Sequence, residues 1–137
     1  MTYAMSAGLQ RAIFERLVTD ARVDALVQGA VFDAAPSVAP ALFVAIGPER
    51  VTARSDGSGE GAIHQLQISV VTKRNGYSAA KAVAGAVSDA LGGADLALER
   101  GRVVWIRFLR AQARRDEGEG TRRIDLWFRA RLDDQEG

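Results

Sequence analysis

Cysteine is absent from the 137-residue chain, which excludes disulfides, thiolate metal sites and cysteine nucleophiles. Histidine occurs once, at His64. Imidazole catalysis needs a nucleophile and a positioning acid beside the ring, and an imidazole metal site needs further ligands. A single histidine in line with Leu66 and Ile68 specifies neither and reads as structural. No apolar run approaches the length of a membrane span. Arg11, Glu15 and Arg16 also break the N-terminal apolar stretch that a signal peptide would need whole. The expectation is a protein that stays where it is made, makes no membrane contact and has no catalytic residue, cofactor or metal. A net charge of only +1 gives no whole-molecule field toward DNA or membrane. Any basic patch must be local.

What is present is ordinary for one globular domain over residues 1–137, with 47% apolar and 26% charged residues. The basic residues are almost all arginine, and ten of the eighteen fall between Arg100 and Arg131, interleaved with Asp116, Glu117, Glu119 and Asp125. Arginine's planar fork makes bidentate contacts with carboxylate and phosphate and is enriched at protein interfaces.

Periodicity outlines the elements. Leu9, Ala12, Ile13 and Leu17 recur at helical spacing after Ser6, which predicts an amphipathic helix from Ser6 to about Thr19, with Ser6 as its cap. Asp20 can cap a short second helix, "ARVDALV", which Gly29 ends. Pro36 and Pro40 predict an extended loop. The apolar run "LFVAIG" reads as a strand closed by Gly47 and Pro48, and "RSDGSGEGA" as a glycine-rich turn. In "IHQLQISVVTK", His64, Leu66, Ile68 and Val70 alternate with Gln65, Gln67 and Ser69, the pattern of a half-buried strand. Ser78 can cap a helix whose apolar stripe is Ala80, Val83, Ala84, Val87 and Leu91, and which Gly92 and Gly93 stop.

The last third predicts a long hairpin. "RVVWIRFLRAQA" sets Val104, Ile106 and Phe108 against Trp105, Arg107 and Leu109. "RRIDLWFRARL" sets Ile124, Leu126, Phe128, Ala130 and Leu132 against Arg123, Asp125, Trp127, Arg129 and Arg131. The outward face mixes two tryptophans with arginines and an aspartate, an unusual surface for a chain that needs only solubility.

Neither glycine loop carries chemistry. A phosphate-cradling loop opens a helix, whereas "GSGEGA" joins two strands. Asp116, Glu117 and Glu119 lack the spacing of a calcium loop and lie among Arg114, Arg115, Arg122 and Arg123, which repel cations. The arginines and tryptophans suit a sheet that stacks bases and holds phosphates, but interleaved acids and a missing glycine-aromatic signature argue against sequence-specific binding.

In this order the elements resemble the tail-completion, or tail terminator, proteins of long-tailed phages and gene transfer agents. The resemblance is carried by "SAGLQRAIFERLVTDARVDALVQGAVFD", the proline-bearing loop into "LFVAIG", the glycine-rich turn, "HQLQISVVTK", "GYSAAKAVAGAVSDAL" and the arginine-rich hairpin. It covers nearly the whole chain. Relatives often carry a proline-aromatic pair before the "IG" segment and an aromatic near the end of the histidine strand, where this chain has Ala41-Leu42-Phe43 and Val70-Val71.

The resemblance implies an α+β, ring-forming subunit with a mainly antiparallel sheet of about four to five strands and two or three helices packed on it. It also implies a homo-hexamer that caps the tail tube, ends its growth and meets the head-tail connector protein. DNA would pass through without sequence-specific binding, and the protein would assemble in the host cytoplasm before entering the particle. The family has no catalytic residues to transfer. The expected assembly loop is Arg114, Arg115, Asp116, Glu117, Glu119, Arg122 and Arg123. The expected subunit interface is Trp105, Arg107, Trp127, Arg129 and Arg131. The alternatives are a neighbouring connector protein or a small nucleic-acid-binding domain.

Overall fold

The computed structural model describes residues 2–56, 59–116 and 120–134. Two helices, α1 (Ser6–Thr19) and α2 (Ala21–Val27), precede a short strand β1 (Val31–Phe32) and two long strands, β2 (Leu42–Asp56) and β3 (Gly59–Thr72). Helix α3 (Ser78–Leu91) then leads to the hairpin strands β4 (Arg102–Asp116) and β5 (Thr121–Asp133). The sheet has the order β1-β2-β3-β5-β4; β1 runs parallel to β2 and every other pair is antiparallel. No helix among the described residues is long and apolar enough to cross a membrane.

All three helices lie on one face of this sheet. Leu9, Ile13 and Leu17 of α1 and Val83, Val87 and Leu91 of α3 bury against Val44, Ile68, Val70, Leu126, Phe128 and Leu132 of the strands. The α3 stripe of valines and alanines is wholly buried, because small side chains let a helix lie close on β3 and β5.

Local chemistry keeps to the sequence pattern at one cap and departs from it elsewhere. Asp20 does cap α2, accepting from the Arg22 and Val23 N–H groups at 3.0 Å each. Ser6 and Ser78 instead stand just inside their helices, behind Met5 and Tyr77, with no side-chain cap bond. The strand expected to stop at Gly47-Pro48 runs through to Asp56. Gly47 and Pro48 form a bulge between the Ile46↔Ile68 and Glu49↔Leu66 pairs, a position that tolerates proline's missing N–H. β4 is bulged between Val103 and Trp105 and again between Phe108 and Arg110. Each bulge shifts the alternation by one. Ala111 and Ala113 therefore follow Phe108 onto the helix side, and Arg110 takes the outer place that strict alternation assigns to Leu109.

Gly101 closes the base of the hairpin. Its φ is +73°, and an added Cβ would come within 2.5 Å of the Asp133 carbonyl oxygen, so only glycine fits.

Candidate functional site

With every helix on one side, the outer face of β2, β3, β5 and β4 is bare. The register places Trp105, Arg107, Trp127, Arg129 and Arg131 together on it, since Trp105 pairs with Arg131 and Arg107 with Arg129. The Arg107 guanidinium lies 4.1 Å from the Trp105 ring centroid, and that of Arg110 lies 3.9 Å from Trp127. Both tryptophans are half-buried beneath these arginines. Arg50 and Arg110 also join the face. Sequence periodicity missed them because Arg50 lies past the Gly47-Pro48 bulge and Arg110 past the one in β4.

Toward the tip of the hairpin, one carboxylate organises the strands. Asp125 is 3% exposed on the outer face and accepts from the Ser69 hydroxyl at 2.6 Å, Arg123 Nε at 3.1 Å and Arg114 Nε at 3.4 Å. Asp116 accepts from Arg114 at 3.0 Å and from the Thr121 hydroxyl at 2.9 Å, and lies 3.7 Å from Arg123. Burial works to raise the Asp125 pKa, but the bonds from Ser69, Arg123 and Arg114 and the Arg123 charge outweigh it and hold it below the usual carboxylate range.

Of the expected assembly loop, Arg114, Asp116 and Arg123 are thus tied into the sheet. Arg122 bonds the Arg74 carbonyl at 3.4 Å and lies over Tyr77. Arg115 is exposed. Glu117 and Glu119 lie outside the described residues.

His64 lies on the opposite face of the sheet, wholly buried on the helix side with Nδ1 3.6 Å from Glu49 Oε2. Glu49 accepts from the Tyr3 and Ser6 hydroxyls. Neither imidazole nitrogen has a hydrogen-bond partner among the described residues. Burial pushes the imidazole pKa down, with Glu49 opposing it. A histidine kept neutral in the fold but protonated in the unfolded chain contributes stability above its ordinary pKa, about 6.5. That stability is lost as pH falls through this value toward the lower folded one. His64 is the only histidine, so urea midpoints measured at pH 7.5 and 5.5 should differ, and His64→Leu should abolish most of the difference. Equal slopes with pH in both proteins would assign the effect elsewhere.

A family model described as tail completion protein gp17 matches residues 11–133. Among solved structures, the chain is similar to one in the virion of a native gene transfer agent particle. Sequence identity is 51% and the TM-score 0.90, covering 96% of this chain and 99% of that one. No curated protein matches it.

Proposed function

Because the chain belongs to the tail completion protein gp17 family and is a structural virion component and not an enzyme, we propose that it forms a homo-hexameric ring on the tail tube. The ring ends tube growth and offers the surface that a head-tail connector protein joins, and DNA passes through its centre. Assembly takes place in the host cytoplasm before the subunit becomes part of the particle.

The observation that carries this reading is a pair of unlike, unpaired sheet edges. On one side, among the described residues, β1 pairs only with Val44 and Ala45, which leaves the β2 edge beyond Pro48 without a described neighbour. On the other side, among the described residues, β4 pairs only with β5. Closed rings are built from heterologous contacts between two different surfaces of one chain, and a sheet with both edges open supplies such a pair on opposite sides. Trp105 stands on the β4 edge as an anchor for the neighbouring subunit. Light scattering across concentration, and electron microscopy with and without tail tubes, test the ring: a monomer that ignores tube ends would sink it.

The hairpin tip is the docking element for the tube or connector. Asp116 braces Arg114 and Thr121, so the exchange that spares the fold replaces residues 117–119 with glycine and serine. The variant should unfold at the wild-type temperature yet cut completed particles about tenfold or more, equivalent to about 1.4 kcal/mol of docking energy. Wild-type particle yield would remove the tip from assembly.

A further inference from the structure

We propose that the bare outer face of the sheet contacts the phosphate backbone of double-stranded DNA, with Arg50, Arg107, Arg110 and Arg129 as the contact residues. The presence of DNA rests on the ring reading above; the location rests on the residues themselves.

Arg50 pairs with Gln65, Gln65 with Arg129, and Arg129 with Arg107. These four residues form one row straight across β2, β3, β5 and β4, about 14 Å wide at the usual strand spacing. Arg110, paired with Trp127, stands in the next row. Like charges directly opposite each other destabilise a sheet. Among the described residues, no carboxylate pairs with these four arginines. Of the acids on this face, Asp116 and Asp125 are engaged with Arg114 and Arg123, and Asp133 with Arg102 and Arg131. Stacking on Trp105 and Trp127 holds two of these charges without neutralising them, which marks a surface whose partner lies outside.

The partner must be anionic, and the surface suits a polyanion better than a protein. Protein interfaces centre on apolar anchors surrounded by a polar rim. Here the two indole rings lie under the chain's own Arg107 and Arg110, so the outermost groups are guanidinium forks. Stacking holds each fork in place while its N–H edges stay available to oxygen acceptors. A face of four strands, about 14 Å across, is wider than the major groove, about 12 Å, so it positions DNA through phosphates without reading bases. The net charge of the whole chain is only +1, which confines the attraction to this face.

The test uses the full-length protein and a short random-sequence DNA duplex, with affinity followed by fluorescence anisotropy as salt is raised. Each phosphate contact contributes about −0.9 to the slope of log affinity against log salt. The double variant Arg107→Gln/Arg129→Gln should reduce the slope by about 2 while leaving oligomer mass and unfolding temperature unchanged. The charge-matched control Arg11→Gln/Arg22→Gln, on the exposed sides of α1 and α2, should leave the slope alone. No duplex binding by the wild-type protein at low salt, or an unchanged slope in the double variant, would overturn the proposal. So would a variant that keeps DNA binding but loses oligomer mass, which would assign the row to subunit contacts. Failure of the ring reading shows separately, as wild-type protein absent from tube ends whatever its affinity for DNA.

Discussion

Replacing Phe128 with alanine should cost about 3–5 kcal/mol, a large share of the roughly 5–15 kcal/mol by which a domain is stable. Phe128 is fully buried at the middle of β5 and pairs with Leu66 on β3 and Phe108 on β4. Its ring meets Phe108 edge to face, with centroids 5.9 Å apart. Helix α3 packs over β5 and β3, so strand and helix backbones both resist collapse into the vacated space, and the cavity term adds to the lost transfer energy. Urea unfolding should show a lower midpoint with an unchanged slope. A change below about 1 kcal/mol would mean that the core relaxes around the site. Phe108 is itself 46% exposed, so Phe108→Ala should cost much less, although it removes the same ring pair. The comparison separates burial from aromatic contact.

The second large effect is expected at Asp125. Asp125→Ala removes the acceptor shared by Ser69, Arg114 and Arg123, and should cost about 2–3 kcal/mol, the range for hydrogen bonds to a charged group. The figure stays below that for a fully buried pair because the Arg114 side chain is 47% exposed and the Arg123 side chain 26%; both orphaned guanidiniums can turn to water. Amide exchange should rise first in the β4–β5 segment around Gln112 and Arg123, ahead of the core strands. The Asp125 pKa is lowered in the fold. Its stabilisation is therefore complete above the unfolded value, about 3.9, and is lost as pH falls through that value toward the lower folded one. The Ala variant should lack this part of the acid transition. Wild-type exchange rates at the hairpin in the variant would show that the carboxylate does not hold the tip.

The tip and the outer face place opposite demands on the same strands. At Asp125 the chain neutralises Arg114 and Arg123 inside the sheet and ties β3, β4 and β5 together. Two rows away it leaves Arg50, Arg107 and Arg129 in line without an acid. The first would hold the proposed docking element in place, and the second leaves guanidinium edges that an external anion can engage.

The elements themselves were written locally. Leu9, Ile13 and Leu17 announce α1, the small apolar stripe announces α3, and His64 to Val70 announce a strand with one buried face, because helical and strand periods are properties of consecutive residues. The family pattern was legible for the same reason, since it is an order of such elements. Register was not legible, because it is set by which strands meet. Gly47-Pro48 reads as a stop in sequence and becomes a bulge only when β3 lies alongside to carry the pairing onward. The bulge after Phe108 moves Arg110 to the outer face, and no local signal marks it. Asp125 reads as one more outward acid until Ser69, 56 residues earlier, closes over it. The row Arg50, Gln65, Arg129 and Arg107 draws on four strands and exists only in the folded sheet, where pairing between distant segments decides which charges become neighbours.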